Sequence, residues 1–227
     1  MIISHKHKYI FIKTYKTAST SVEIALSKYC GPNDILTPLI KEDELKRKEF
    51  GYRGAQNYII PFRSYSLRDC MRAFYQGKRL KLYNHVGADY VKRFIKSRYW
   101  KEYFKFCFER NPWDKMVSWY YWTYENEPRP SISEFLKTEG AQYLHGLNQY
   151  SDSSGILVDK VYFYEDLENA MIDISERLGL NEVPKLPRAK TEFRDRSKTY
   201  REMLSEDDKK LIESRFYKEI KLFNYKW

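Results

Sequence analysis

The sequence predicts an α/β protein with a central, mainly parallel sheet flanked by helices. Three observations lead there. Short apolar runs of strand length occur at residues 9–13 (YIFIK), 103–108 (YFKFCF) and 158–164. Each is followed by a stretch with helical spacing of its apolar residues. Gly, Pro and capping residues punctuate the joins, and such strand–helix alternation favours parallel strands with helices on both faces.

The first run, 9–13, reads as a buried strand, and residues 14–20 as a polar loop. From Ser21 onward, Val22, Ile24, Ala25 and Leu26 mark an amphipathic helix that stops before Gly31-Pro32. Residues 1–8 read as a polar tail that leaves His5 and His7 exposed. Residues 32–80 mix charges, glycine and aromatics and read as an inserted region, helical at 66–75. Residues 80–83 predict a second strand ending at Asn84-His85, and 86–95 a helix. The run 103–108 is the clearest strand. Asn111-Pro112-Trp113-Asp114 opens the next helix, with proline in the first turn and an acid suited to the helix dipole. Met116, Val117 and Tyr120 share one side of it. Residues 158–164 form a further strand, and 167–178 a helix closed by Gly179. Ser205 caps a last helix that runs through Phe216.

With 227 residues the chain has the size of a single α/β domain, 1–227, carrying the insertion at 32–80. An aromatic share of 17%, with 21 tyrosines, excludes a disordered chain. The net charge of +10 fits a solubilising surface or an anionic ligand: a nucleotide, an acidic glycan or nucleic acid. Cys30, Cys70 and Cys107 are widely spaced, with no metal-ligand clustering, so no metal is expected and the compartment is expected to be reducing. Cys107, inside an apolar run, reads as a buried thiol. No apolar stretch approaches the roughly 20 residues that span a bilayer. Lys and His interrupt the N-terminal segment, so no signal peptide is expected. The chain is therefore expected to be cytoplasmic, or a soluble domain of something longer, without a membrane anchor.

Loops at the C-terminal ends of parallel strands are where such folds bind ligands. The first is Lys13-Thr14-Tyr15-Lys16-Thr17-Ala18-Ser19-Thr20-Ser21. It enters a helix N-terminus, where free N–H groups and the dipole favour an anion. The hydroxyls of Thr17, Ser19, Thr20 and Ser21 add donors, and Lys13 and Lys16 add charge. It is not a Walker A loop, because it has no glycine and its Lys16 comes early. A tight loop of this kind suits one terminal phosphate. A Ser/Thr-rich helix cap is the plainer reading of the same residues.

Lys16-Thr17-Ala18-Ser19-Thr20-Ser21 resembles the 5′-phosphosulfate-binding loop of the sulfotransferase superfamily, in the form seen in carbohydrate sulfotransferases of the heparan sulfate 2-O type. The resemblance implies a P-loop-NTPase-like sulfotransferase fold and the nucleotide sulfate donor PAPS, with PAP as product. It implies that Thr17, Ala18, Ser19, Thr20 and Ser21 hold the 5′-phosphate and that Lys16 contacts the oxygen bridging phosphate and sulfate. A second element, Arg110-Asn111-Pro112-Trp113-Asp114-Lys115-Met116-Val117-Ser118, again leads from a strand into a helix. A guanidinium at a strand end can grip a phosphate through two bonds. The stretch is similar to the superfamily's 3′-phosphate motif, which implies that role for Arg110 and Ser118. Residues 158–167, 178–180 and 222–225 resemble later parts of the family more loosely. Residues 32–80 resemble nothing in it.

Sulfuryl transfer builds negative charge on the leaving phosphate oxygen, and a cation aimed there stabilises the transition state. Lys16 suits that role. A base must take the acceptor's proton, and histidine suits neutral pH. His145 lies in an expected loop. His85 follows an expected strand and is expected on the same face as Lys16 and Arg110. Asn84-His85-Val86 also resembles the Gly-His-Val of the heparan sulfate 2-O type, with Asn84 in place of glycine. A helix cap is the alternative role for His85.

Residues 185–201 form a basic segment. In the superfamily a late basic loop closes over the 3′-phosphate and adenosine, which nominates Lys198, Tyr200 and Arg201. A solvated linker or an acidic-acceptor site are the alternatives. The four aromatics Trp119-Tyr120-Tyr121-Trp122 cover too much of a helical turn to share one face; one or two could stack on a sugar or on adenine, but such rings read mainly as core. The resemblance implies an acceptor hydroxyl, on a glycan, with no nucleic-acid partner. A P-loop nucleotide kinase and a non-catalytic anion- or glycan-binding relative are the rival readings.

Overall fold

The computed structural model describes residues 1–144, 146–187 and 198–227. Its first strand lies where a polar tail was expected. β1 (Ile2–Ser4) is fully buried and turns back into β2 (Tyr9–Phe11), with Ile3 opposite Ile10 in an antiparallel pair. The Lys and His residues at 5–8 are only the turn of this hairpin. His5 and His7 are half-buried rather than exposed: His5 Nδ1 lies 2.8 Å from the Tyr103 hydroxyl and His7 Nδ1 lies 3.1 Å from the Leu178 carbonyl. Asp34 holds the turn, accepting from the His5 and Lys6 amides at 2.7 and 3.1 Å and from the Ser4 hydroxyl at 2.8 Å.

After α1 (Ser19–Ser27), β3 (Ile35–Leu36) pairs antiparallel with the outer edge of β1. Four helices follow: α2 (Lys41–Glu49), α3 (Leu67–Gln76), α4 (Ala88–Phe94) and α5 (Ser97–Glu102). β4 (Phe104–Glu109) runs parallel to β2 and leads into α6 (Pro112–Thr123). α7 (Ile132–Leu136), α8 (Leu147–Tyr150) and a small hairpin of β5 (Ser151–Asp152) and β6 (Gly155–Ile156) come next. β7 (Lys160–Phe163) then pairs parallel with β4. The chain closes with α9 (Leu167–Arg177), α10 (Tyr200–Met203), α11 (Glu206–Arg215) and α12 (Tyr217–Phe223).

The five-stranded sheet has the order β3-β1-β2-β4-β7 and is mixed, not mainly parallel. The N-terminal hairpin is the reason. A short turn can join only antiparallel strands, whereas parallel neighbours need a crossover such as α1. The expected strand at 80–83 also lies outside this sheet. Lys81 bridges Ile59, and the Ile60 and Leu82 amides bond the Leu80 and Tyr58 carbonyls at 3.0 and 2.8 Å. This two-sided ladder caps one face of the sheet.

β4 shows why the sheet is buried on both sides. Phe106 and Phe108 point to one face, where they meet Phe11, Val22 and Leu26 on the α1 side and Met171 and Ile174 of α9. Cys107 points to the other, among Ile10, Ile60, Leu82, Val86 and Val91. The Cys107 thiol is fully buried, as its apolar run indicated, and burial pushes its pKa well up. A third cluster joins Trp113, Met116, Val117 and Tyr120 of α6 to Phe135, Ile212 and Phe216. The helix expected to run from Ser205 through Phe216 as the last of the chain ends at Arg215 as α11, and the chain bends at Phe216 before α12. No helix of the described residues is long and apolar enough to cross a membrane.

Candidate functional site

β2 and β4 are adjacent and parallel, so the loops that leave them, 12–18 and 110–111, emerge at the same sheet edge. A cavity of about 880 Å³ opens there. Lys16, Thr17, Ala18, Ser19, Thr20 and Ser21 line it from the first loop and the start of α1, Arg110 from the second loop, and Ser118 from α6. His85 lines it from the segment before α4, and Lys198, Tyr200 and Arg201 from the segment entering α10. The remainder of the basic segment, 188–197, and His145 lie outside the described residues.

The first loop achieves its turn without glycine. Lys16 and Ala18 take left-handed conformations, at φ 58° and 56°, and Ala18 is the N-cap of α1. Such values are unusual for residues with a Cβ and store strain. The first α1 bond runs from the Val22 amide to the Ala18 carbonyl at 3.2 Å, so the amides of Ser19, Thr20 and Ser21 precede the helical ladder. Two of the four hydroxyls brace the loop from inside rather than adding donors to the cavity. Ser19 Oγ donates to the Thr14 carbonyl at 2.6 Å, and Thr17 Oγ1 lies 2.9 Å from Thr14 Oγ1. Thr14 Oγ1 in turn donates to the Phe108 carbonyl at 2.5 Å, which stitches the loop to the end of β4.

Lys13 does not bring its charge to the cavity. Its side chain is buried beneath the loop, with Nζ 3.1 Å from Glu23 Oε2. Glu23 also takes Arg47 Nη2 at 3.2 Å and the Met1 ammonium at 2.8 Å. Burial alone would raise the Glu23 pKa, but the cations of Lys13, the amino terminus and Arg47 outweigh it and hold the carboxyl at about 2. The floor of the loop is thus a buried ion network centred on a residue of α1.

Arg110 is almost buried and ties the two loops together. Nη1 donates to the Lys16 carbonyl at 3.0 Å, while Nε and Nη2 donate to Asp114 Oδ2 at 2.9 and 2.6 Å. Its guanidinium also lies over the Tyr164 ring, 3.9 Å from the centroid. Three of its five N–H bonds therefore have these protein acceptors. Asn111 caps α6, accepting from the Trp113 and Asp114 amides at 3.1 and 3.2 Å. Its Nδ2 donates to the Tyr200 hydroxyl at 3.3 Å, which draws the start of α10 to the second loop.

Asp114, Ser118 and Trp122 recur every four residues of α6, so they form one stripe along the cavity. Trp119 joins them and stacks on Trp122, with centroids 4.6 Å apart. Lys16 Nζ sits 5.5 Å from the Trp122 centroid, a cation–π contact. The sequence left open that one or two of the rings at 119–122 stack on a ligand, but named neither tryptophan as a site residue. The signal was present in the four-residue spacing of Trp122 from Ser118. Tyr15 was missed as well, and its ring stacks on His85 at 4.0 Å and 11°.

His85 also has a positive φ, 59°. Its Nδ1 lies 3.2 Å from the Lys13 carbonyl. A carbonyl can only accept, so Nδ1 carries the hydrogen and Nε2 keeps the lone pair in the neutral ring. Burial first, then the nearby Lys13 cation, bring its pKa down to about 3. Gln149 fixes the loop around it, donating to the His85 and Lys13 carbonyls at 3.0 and 3.3 Å. The ring is therefore neutral at physiological pH, with a defined basic nitrogen.

No family model matches the chain. An "Uncharacterized protein" of Archaeoglobus fulgidus is 31% identical over 97 residues, covering 40% of this chain and 81% of that protein. The chain belongs to the same family as this archaeal protein. Cations (Lys16, Arg110, Lys198 and Arg201) share the cavity with helix-start amides, a stack of flat rings and one neutral imidazole. That set suits an anionic, ring-bearing ligand. No group of three or more His, Cys, Asp or Glu that could hold a metal occurs among the described residues.

Proposed function

We propose that the chain is a sulfotransferase of the P-loop-like fold that moves a sulfuryl group from PAPS to an acceptor hydroxyl, on a carbohydrate. The observation that carries this reading is the meeting of three separated stretches in one cavity: 16–21, Arg110 with Ser118, and His85. The cavity's volume and its cations fit a nucleotide with phosphates at both ends. The amides of residues 19–21 and the hydroxyls of Thr20 and Ser21 would hold the 5′-phosphate. The remaining N–H bonds of Arg110, with Ser118, would take the 3′-phosphate, and Lys198, Tyr200 and Arg201 would close over the nucleoside. Tryptophan faces of α6 would stack on a base or a sugar.

The donor, when bound, supplies the sulfuryl group and a phosphate leaving group. His85 Nε2 accepts the proton of the acceptor hydroxyl as the new sulfur–oxygen bond forms. Lys16 stabilises the electron pair left on the phosphate oxygen as the old bond breaks, and it does so more in the transition state than before it. Nearby donor anions would raise the His85 pKa from its low value and make it a better base when the site is loaded.

The test is a labelled-PAPS assay against a panel of glycans and small hydroxyl compounds. The expected result is a labelled, sulfated product, together with thermal stabilisation by PAP. His85→Ala should abolish transfer and still bind PAP, and Lys16→Ala should lose turnover. Stabilisation by ATP–Mg²⁺ but not by PAP, with no transfer to any acceptor, would overturn the reading in favour of a kinase.

A further inference from the structure

Helix α3 presents its apolar face to solvent. Residues advance by about 100° per position in a helix, so Cys70, Phe74, Leu67, Met71 and Tyr75 fall in one arc of about 140°. A core helix would bury that arc. Here Leu67 is 79% exposed, Phe74 85% and Tyr75 84%. The side facing the protein carries no large apolar residue: Asp69 is buried and Ala73 half-buried. The orientation is pinned. Ser66 and Asp69 form a capping box, and Asp69 Oδ2 also takes the Arg93 guanidinium of α4. Leu80, just after the helix, donates its amide to the Tyr65 hydroxyl at 2.6 Å.

The arc is bordered by positive charge. Arg68 and Arg72 follow Tyr75 around the helix, and Arg63, Lys78 and Arg79 flank its ends. Arg79 stacks over the Phe62 ring at 4.8 Å, and Phe62 is itself exposed. Across residues 62–79 these basic residues meet a single acid, Asp69, which is already engaged with Ser66 and Arg93. Side chains this exposed protrude rather than line a groove.

We propose that α3 and its flanks dock on an anionic lipid surface, lying in the interface with Leu67, Met71, Phe74 and Tyr75 inserted and the arginines against the headgroups. An apolar arc with a cationic border and interfacial aromatics is the pattern of a helix that lies in a membrane surface without spanning it. A second copy of the chain fits poorly, because a two-fold contact would set the Arg68 and Arg72 border against its own image. The proposal is independent of the chemistry in the cavity, and it assigns a role to part of the 32–80 region, which resembles nothing in the sulfotransferase superfamily.

The test is flotation with phosphatidylcholine vesicles, with and without phosphatidylserine as about a third of the lipid. Partition should be at least about tenfold higher with phosphatidylserine, and added salt should weaken it. Leu67→Ser with Phe74→Ser, and separately Arg68→Glu with Arg72→Glu, should each lower partition by at least about tenfold. All four side chains are exposed, and unchanged unfolding temperatures would show that the fold is kept. Cys70 provides a reading on the unaltered sequence, since Cys30 and Cys107 are buried. An environment-sensitive dye on Cys70 should shift to the blue on anionic vesicles. Equal partition to both vesicles, unchanged partition in either double variant, or a dye that does not shift on bound vesicles would overturn the proposal. So would a solution dimer that Leu67→Ser with Phe74→Ser splits, or capture of polyglutamate, if vesicles do not bind.

Discussion

The Arg110 guanidinium donates to the carbonyl oxygen of Lys16, so the side chain of one cavity loop holds the backbone of the other. Lys16 is in the left-handed region, and its carbonyl direction depends on that conformation. Arg110 thus both carries charge into the cavity and keeps Lys16 in place. Arg110→Ala should weaken PAP binding by roughly 10- to 100-fold, as expected for truncating a hydrogen-bonded charge. Affinity for a nucleotide without the 3′-phosphate should fall less. Titration calorimetry with both ligands measures this, and equal losses would remove the 3′-phosphate from Arg110.

Ala18 sits at φ 56° as the N-cap of α1. Glycine reaches that region without a Cβ penalty, so Ala18→Gly should stabilise the fold by about 1 kcal/mol. Thermal unfolding should move up by about 2–4 °C for a chain of this size. A lower unfolding temperature would mean that the Ala18 methyl contributes packing worth more than the strain.

His85 has a folded pKa of about 3 against an ordinary 6.5. Between those values the unfolded chain binds a proton that the folded chain does not. Its contribution to stability is therefore complete above pH 6.5 and is lost as the pH falls toward 3. Replacing His85 by Gln should flatten the fall in stability across that window, read from denaturant unfolding at several pH values. By NMR the His85 ring should remain neutral from pH 8 to 5 in the free protein. Saturating PAP should move its titration upward, because the added anions favour imidazolium.

Glu23 joins Lys13, Arg47 and the amino terminus in one buried network. Glu23→Gln keeps the shape but removes the carboxylate that these three contacts share. Breaking a buried pair from one side costs about 3–5 kcal/mol, and this variant should lose that order of stability. The folded carboxyl has a pKa of about 2 against an ordinary 4.5, so its contribution is complete above pH 4.5 and falls away as pH drops toward 2. Denaturant unfolding at neutral pH measures the loss, and a near-neutral variant would show that the cations find other partners.

Local pattern was enough for β2, β4, β7 and the helices that follow them. Apolar runs such as YFKFCF and caps such as Asn111 and Ser205 act over a few residues, and their signal survives without tertiary context. That the loop 16–21 and Arg110 with Ser118 would face one cavity was also legible, because joins between parallel strands and helices open at one sheet edge. His85 lines the same cavity, but the strand expected to bring it there lies outside the sheet. Three things were not legible. The strand at Ile2–Ser4 and the ladder at 80–82 have the same short apolar character as any buried segment, and only packing chose their partners. Lys13 and Lys16 look alike in sequence, yet one is buried on Glu23 and the other lies over Trp122, because the tight turn through Thr14 and Tyr15 separates their directions. The outward turn of α3 was equally hidden. Its amphipathic pattern is written in the chain, but the side that meets the protein is decided by where Asp69 can reach Arg93.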